Sequence, residues 1–296
     1  MYEEKLRWSK ELAERVIKDF NPYAVIVGYT GGTDSNIALK LATMFFKVDA
    51  AFTCNTTIGA IETLQNCEKV AKEVYGLKYI SRMPPYGALE ENPDTYFEVV
   101  KQHGFPGQTK TAHNWMYRWL KDHTVSRIVS SIRRRKRNRP IVIISGARRH
   151  ESTRRMGTSE DITVIDNTIW VNICNDWTDS ECYAFAEDWG IQKLRSPISL
   201  GMGISGECFC GSHGTEGEYK EMKFWSPSTY EKVNMITKVL KSLGLNWEWW
   251  EGPSKEFTRE KYGQLNMFSP ENMASPQMLM CSSCMNNPAS EQYIEQ

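Results

Sequence analysis

The stretch Ala24–Ser35, which reads AVIVGYTGGTDS, decides the fold of this chain. Its first five residues form an apolar, β-branched run that is typical of a buried strand. The pair Gly31-Gly32 then lets the backbone turn sharply and approach an anion closely. Good helix formers follow, and a helix N-terminus offers N–H groups and a positive dipole end at the turn. The stretch therefore predicts a strand, a phosphate-binding turn and a helix that Ser35 caps.

Size and charge limit the classes of function. The chain has 296 residues, and its 36 basic residues balance 36 acidic ones, so no global field recruits nucleic acid or a membrane surface. The first residues lack an apolar signal-peptide segment, and no stretch approaches membrane-spanning length. We therefore expect a soluble, cytoplasmic protein. Eight cysteines in such a chain indicate metal or redox chemistry more than a disulfide scaffold.

Apolar periodicity predicts alternating strands and helices. This alternation indicates the α/β class, with a mostly parallel sheet between helices and ligands at the carboxyl ends of the strands. We expect a nucleotide-binding domain over residues 1–200 and a C-terminal helical and irregular lobe over 201–296. The predicted strands are 23–28, 48–54, 78–81, 141–144 and 170–173, and the predicted helices are 2–19, 35–46, 60–75, 94–103, 110–121, 124–137, 179–189 and 228–244.

A second candidate anion site follows the apolar run 141–144. The segment Ser145–Arg155 reads SGARRHESTRR and carries four arginines. Guanidinium groups bind phosphate or sulfate oxygens through paired hydrogen bonds. The alternative is an exposed, charged helix start. Beside the glycine turn, the pattern favours anion binding.

These segments resemble motifs of the phosphoadenosine phosphosulfate (PAPS) reductase family. Thr30–Ser35 is similar to the S-G-G-x-D-S signature of PP-loop ATP pyrophosphatases and sulfonucleotide reductases. Gly146–Arg155 is similar to G-x-R-x-x-E-S-x-x-R, and Arg118–Lys121 to R-x-L-K. The resemblance implies an adenine nucleotide α-hydrolase-like fold. It implies catalytic roles for Lys121, Arg148, Arg155 and Asp34, and nucleotide contacts from Gly28, Thr30, Gly31, Gly32, Thr33, Asp34, Ser35, Asn55, Gly146, Arg148, Glu151 and Ser152.

Two close cysteine pairs predict a metal centre. Cys208 and Cys210 form one pair, and Cys281 and Cys284 form the other. Two ligands from each tight turn suit a tetrahedral four-sulfur site, which zinc or a 4Fe-4S cluster would fill. Four buried cysteines without a metal are the alternative. Related sulfur enzymes, including the DNA phosphorothioation protein DndC, carry a 4Fe-4S cluster near the nucleotide, and this resemblance favours iron–sulfur over zinc.

The chain also departs from the PAPS reductases. It lacks their C-terminal E-C-G-x-H segment, whose cysteine attacks the sulfonucleotide. We therefore expect ATP with Mg²⁺, for which Asp34 is the nearest candidate ligand, and an ATP pyrophosphatase or adenylation activity that supports sulfur transfer. A sulfonucleotide reductase that uses a partner's thiol is one alternative. A non-catalytic nucleotide-binding subunit of a nucleic-acid modification or defence complex is another.

The run Arg133–Arg139 carries six cations in seven residues. Cations at a helix end favour its negative dipole and face solvent, which explains some of them. So dense a run also suits a nucleic-acid backbone or an acidic protein partner. The sequence leaves these interpretations open, and it is compatible with a homo-oligomer.

Overall fold

The computed structural model describes residues 2–87, 91–133, 139–151, 156 and 159–254. Six strands form one sheet in the order β3-β2-β1-β4-β6-β5. All neighbouring strands are parallel except β5, which runs antiparallel to β6 at one edge. The strands are β1 Ala24–Gly28, β2 Ala50–Cys54, β3 Lys78–Arg82, β4 Ile141–Ser145, β5 Ile162–Ile165 and β6 Thr168–Asn172.

Helices cover both faces of this sheet. Helices α3 and α5 each continue into a single π-helical turn, Val70–Val74 and Arg118–Asp122. Short 3-10 turns are present at Arg149–Glu151 and Ile191–Leu194. The helices are α1 Glu3–Phe20, α2 Thr33–Phe45, α3 Ile61–Lys69, α4 Thr95–His103, α5 Lys110–Tyr117, α6 His123–Arg133, α7 Asp179–Asp188, α8 Pro197–Met202, α9 Glu216–Trp225 and α10 Pro227–Ser242.

Alternation along the strands divides the core into two layers. In β1, Val25 and Val27 belong to the cluster formed with α1, α2 and α7. Ala24 and Ile26 belong to the opposite cluster, which α6 covers. Since successive strand residues point to opposite faces, a wholly apolar strand is buried on both sides. The expected α/β class, a mostly parallel sheet sandwiched by helices, is confirmed.

A third apolar cluster joins residues on both sides of position 200. Tyr96 and Phe105 from the α4 region pack with Phe209, Ile236 and Trp249. The described residues beyond 200 therefore share a core with earlier helices. The division of the chain at residue 200 stays a prediction.

Several element boundaries differ from the expectations. Helix α2 begins at Thr33, with Gly32 as its N-cap, so Ser35 is not the cap. Strand β5, helices α8 and α9, and the short 3-10 turns were not predicted from the sequence. Helix α9 begins with a capping box in which Thr215 and Glu218 bond reciprocally. Positions 134–137 of the predicted helix 124–137 lie outside the described residues.

Candidate nucleotide site at the carboxyl edge of the sheet

The order of the strands creates a crevice between β1 and β4. The chain passes from β1 outward to β2 and β3, then crosses to β4 on the other side of β1. At such a switch point the connections leave the carboxyl ends of the two strands in opposite directions, and ligands of open α/β sheets bind there. The loop Thr30–Ser35, called here the glycine loop, follows β1, and Gly146 follows β4.

The glycine loop has the backbone geometry of an anion cradle. Gly31 has φ +75°, a left-handed conformation that favours glycine, and a Cβ there would lie 3.2 Å from Cys67 Sγ. Gly32 is the N-cap of α2, and its lack of a side chain leaves the first turn without a side-chain cap. The N–H groups of this turn have no intrahelical acceptor, so they are available to a bound anion.

Side chains of the same motif fix the Gly32 carbonyl. Ser35 Oγ donates to this oxygen at 3.0 Å, and Asn36 donates to it from Nδ2 at 2.9 Å and from its backbone N–H at 3.1 Å. Tyr29 Oη in turn donates to Asn36 Oδ1 at 2.9 Å. These bonds hold the peptide plane at the helix start. Ser35 therefore supports the loop from inside the first turn.

Arg148 joins the starts of two helices. Its Nε lies 3.1 Å from Asp34 Oδ1 in α2, and an Nη lies 2.8 Å from Asp179 Oδ1 in α7. Another Nη donates to the Trp177 carbonyl at 3.2 Å. The side chain is buried, and burial opposes its charge, but the Asp34 carboxylate keeps the pKa of Arg148 above its ordinary value. The structure thus places Arg148 beside the glycine loop, as a charged group already bound by carboxylates.

The Asp34 carboxylate does not fit a Mg²⁺ ligand in this arrangement. Oδ1 faces Arg148 Nε at 3.1 Å, and Oδ2 faces an Arg148 Nη at 3.4 Å. Mg²⁺ requires oxygen ligands in near-ideal octahedral geometry, and a guanidinium group held on both oxygens opposes a second cation. Asp34 instead anchors Arg148.

Gly146 allows the loop after β4 to touch the start of α2. A Cβ at this position would lie 2.6 Å from the Asp34 carbonyl oxygen. Two residues later, the Arg148 backbone N–H donates to Glu151 Oε1 at 2.9 Å. Glu151 therefore orients the arginine segment through the backbone. Ser152 and Arg155 lie outside the described residues, and their roles stay predictions.

Asn55 follows β2 at the same edge of the sheet. Its Oδ1 accepts from the Thr57 N–H at 3.1 Å, and Thr57 adopts φ +62°. The Thr57 carbonyl accepts from Lys232 Nζ at 2.7 Å, which ties α10 to this loop. The amide oxygen of Asn55 thus shapes its own loop, and contact with a nucleotide stays a prediction.

A second loop at this edge, Gly203–Gly214, carries the first cysteine pair and is called here the thiol loop. Cys208 is half-buried and Cys210 is buried. A hydrogen bond to Cys210 and burial raise the pKa of the Cys208 thiol above its ordinary value, and the nearby Lys121 ammonium opposes that rise. The two thiols therefore lie side by side, as two ligands from one turn require.

Three consecutive carbonyls attach the thiol loop to the segment after β2. The Ser205 oxygen accepts from Thr63 Oγ1 at 2.9 Å. The Gly206 oxygen accepts from the Ala60 N–H at 2.8 Å. The remaining bond runs from Thr56 Oγ1 to the Glu207 carbonyl, also at 2.8 Å. Ser205 Cβ lies only 3.4 Å from the position of a Cβ at Gly32, so the two loops are in contact.

Lys121 is paired with the thiol loop. Its Nζ lies 3.0 Å from Glu207 Oε2, and the two side chains are 3% and 1% exposed. A buried ion pair of this kind fixes both partners, because either charge alone would be costly to bury. The motif resemblance implied a catalytic role for Lys121, whereas Glu207 was not predicted as a site residue. A local motif does not predict that Glu207, 86 residues away, is the partner of Lys121.

Only one of the two cysteine pairs of the proposed metal centre lies within the described residues. Cys281 and Cys284 lie outside the described residues. Within the described ranges, no three His, Cys, Asp or Glu side chains come close enough to hold a metal ion. The adjacent thiols of Cys208 and Cys210 fit two positions of a four-sulfur site, and the rest of that site stays a prediction.

The two described residues of the basic run, Arg133 and Arg139, lie at the opposite edge of the sheet. Arg133 donates to the Asn167 carbonyl at 2.7 Å, just before β6. Arg139 donates to the carbonyls of Asn21 and Pro22 at 2.9 and 2.8 Å, just before β1. These two arginines bind backbone at the amino ends of the strands. Residues 134–138 lie outside the described residues.

Among the described helices, none is long and apolar enough to cross a membrane.

Neither a protein-family model nor a curated protein matches this chain. Solved structures do match it. A PAPS reductase from Candida auris is 15% identical, with 66% of this chain and 85% of that one covered and a TM-score of 0.46. An NH3-dependent NAD synthetase from Campylobacter jejuni is 16% identical, with 83% and 96% covered and a TM-score of 0.45.

A third match is the U34-tRNA thiolase NcsA from Methanococcus maripaludis with its [4Fe-4S] cluster. It is 13% identical, with 80% of this chain and 79% of that one covered and a TM-score of 0.35. At these identities the likeness concerns the fold, and such TM-scores assign no activity.

Proposed function

We propose that this protein is a PP-loop enzyme that binds ATP or a related adenine nucleotide and releases pyrophosphate in support of sulfur transfer. The observation that carries the proposal is the glycine loop at the β1/β4 switch point. There a left-handed Gly31 and an uncapped start of α2 present backbone N–H groups beside buried Arg148. Backbone donors that are fixed before binding stabilise phosphate charge without reorganisation.

The reaction that we propose has two displacements. An oxygen of the acceptor attacks the α-phosphorus of ATP, and the bond to the β-phosphate oxygen breaks, which releases pyrophosphate and leaves an adenylated acceptor. A sulfur nucleophile then attacks the activated carbon, and AMP leaves with its oxygen. The Thr30–Ser35 backbone would hold the leaving phosphates, whose charge develops during the first displacement.

Arg148 would act in this scheme mainly through position. It links Asp34 in α2 to Asp179 in α7 and so sets the angle of the helix start. Its positive charge also lowers the cost of bringing phosphates to a turn that carries a carboxylate. Arg155 and Ser152 would add phosphate contacts.

Cys208 and Cys210, with Cys281 and Cys284, would hold the 4Fe-4S cluster or zinc. An iron–sulfur cluster, when bound, supplies a site for sulfur or electrons, whereas zinc supplies a structural link. The contacts of Ser205, Gly206 and Glu207 with the segment after β2 would keep these thiols at the edge of the sheet that also carries the glycine loop. Metal and sulfide analysis after anaerobic purification, with the colour of the protein, decides between iron–sulfur and zinc.

Nucleotide binding to Gly32 variants tests the proposal. A Cβ at Gly32 would be no closer than 3.4 Å to Ser205, so Gly32→Ala and Gly32→Val should fold, yet both place carbon where the backbone meets phosphate. We expect loss of ATP affinity in calorimetry, larger for valine. Gly217→Val is the matched control, because a Cβ there has its nearest contact at 3.7 Å and lies on α9.

Unchanged ATP affinity in a folded Gly32→Val variant would refute the glycine loop as the nucleotide site. Pyrophosphate measurements with the unaltered protein then separate the activities. Release of pyrophosphate with a sulfur acceptor supports adenylation. Reduction of a sulfonucleotide by an added thiol protein, without pyrophosphate release, would show a sulfonucleotide reductase instead. Tight ATP binding without turnover would show a non-catalytic nucleotide-binding subunit.

A further inference from the structure

An exposed apolar patch lies where α3, α8 and α9 meet. Its members are Ile61, Leu200, Phe224 and Trp225, with exposed fractions of 48%, 58%, 78% and 45%. Single exposed apolar side chains are ordinary, but several at the meeting point of neighbouring helices favour a surface that something covers. These four side chains are called here the apolar patch.

Specific contacts hold the patch together. The Trp225 ring lies against Gly201, next to Leu200, and a Cβ at Gly201 would be 2.3 Å from that ring. On the other side, Ser226 Oγ donates to Glu62 Oε2 at 3.3 Å, which brings the end of α9 to the start of α3 beside Ile61. The helix segments that carry these four side chains are therefore in contact with one another.

We propose that residues 265–280 of the same chain cover the apolar patch. This segment contains seven large apolar residues in sixteen and one charged residue, Glu271. Methionine side chains are flexible and polarisable, so they fill irregular apolar surfaces. The apolar residues are Leu265, Met267, Phe268, Met273, Met278, Leu279 and Met280.

The described chain ends close enough for this contact. The Trp250 ring lies 4.7 Å from the Tyr219 ring, in the first turn of α9, and Ser254 is four residues further on. From Tyr219 to Phe224 the helix rises about 7.5 Å. The eleven residues from Ser254 to Leu265 span up to about 35 Å. Because the reach exceeds the distance along α9, the chain's own segment is present at high local concentration.

Photo-cross-linking from Phe224 tests the proposal in the full-length protein. A benzoyl-phenylalanine at position 224 replaces one exposed aromatic residue by another, and the same substitution at position 200 is the second probe. The matched control is position 183, because Tyr183 is 60% exposed and lies on α7, which contributes no residue to the apolar patch. Unlabelled and ¹⁵N-labelled protein are mixed before illumination, so that cross-links within one copy can be distinguished from cross-links between copies.

We expect same-isotope cross-links from positions 224 and 200 to residues 265–280, and none to that segment from position 183. Met267→Ser with Phe268→Ser should cause loss of the cross-link. Mixed-isotope products would assign the patch to a second copy and overturn the proposal, as would cross-links to other residues only or no cross-link from both probes. The proposal does not rest on nucleotide binding, so its failure with intact ATP affinity leaves the proposed function standing.

Discussion

The glycine loop and the thiol loop meet at one edge of the sheet, but different kinds of contact hold them. The Gly32 carbonyl is bound by Ser35 and Asn36, three and four residues away in sequence. The thiol loop is bound by Lys121 and Thr56, which are 86 and 151 residues from Glu207. Nearby residues therefore fix the Gly32 carbonyl of the first loop, to which Arg148 adds a long-range bond at Asp34. The position of the second loop depends on residues far away in the sequence.

The largest expected effect comes from breaking the long-range ion pair. Glu207→Ala leaves the Lys121 ammonium buried without its carboxylate, and such losses cost about 3–5 kcal/mol of stability. Urea unfolding measures the change. The double variant Lys121→Met, Glu207→Leu removes both charges and should recover much of the loss. If the single and double variants are equally unstable, the ion pair does not hold the thiol loop.

A smaller effect is expected where the glycine loop depends on a neighbouring strand. Gly146→Ala introduces a Cβ 2.6 Å from the Asp34 carbonyl, and the backbone shift should cost about 1–3 kcal/mol. ATP affinity should fall in parallel, because the start of α2 moves. Calorimetric binding and urea unfolding of one preparation test both effects. Lower stability with unchanged affinity would show that the cradle does not need this contact.

Arg148→Lys tests how much a long-range side-chain contact contributes to the glycine loop. Lysine keeps the charge but cannot bridge Asp34, Asp179 and the Trp177 carbonyl together, so we expect a loss of about 1–2 kcal/mol. The measurements are unfolding and ATP affinity. Asp179→Asn is the control: the Asp179 side chain is 70% exposed, and its pairing contributes less. If Arg148→Lys binds ATP with unchanged affinity, the arginine segment is a charged turn that does not act on the nucleotide.

The smallest effect concerns pH at the turn that carries Lys121. Burial lowers the pKa of His123, which begins α6 two residues later. The unfolded chain then takes up a proton at a pH where the folded protein does not, so stability falls as pH drops through about 6.5. Unfolding at pH 7.5 and 5.5 should differ less in His123→Gln than in the unaltered protein. If the stability of His123→Gln depends on pH as strongly as that of the unaltered protein, other groups cause the pH dependence.

The sequence predicted what nearby residues determine. The apolar run, the glycine pair and the helix formers predicted β1, the turn and α2, which the structure confirms. Helix α7 begins at the predicted residue 179, where Thr178 and Glu181 form a capping box. The same pattern at Thr215 was a usable signal for α9. The pair Asp166-Asn167 between two β-branched runs was another, for the hairpin of β5 and β6.

The partners of the candidate site residues could not be predicted in this way. The arginine-rich pattern indicated anion binding by Arg148, and the motif resemblance implied a catalytic role for Lys121. In the described structure, the anionic groups beside them are Asp34, Asp179 and Glu207. Which carboxylate meets which cation depends on helix packing across the sheet. Local sequence contains no record of that packing.

The described structure also makes the first helix a remote support of the site. Trp177 Nε1 donates to Ser9 Oγ at 3.1 Å, and Ser9 Oγ donates to the Ile173 carbonyl at 2.7 Å. The same tryptophan offers its carbonyl to Arg148. A protease cut that releases α1 would remove Ser9 and leave the buried indole N–H of Trp177 without its acceptor. The segment whose carbonyl binds the Arg148 guanidinium group would then be held less firmly. Limited proteolysis within α1 would therefore weaken the support of Arg148 beside the glycine loop.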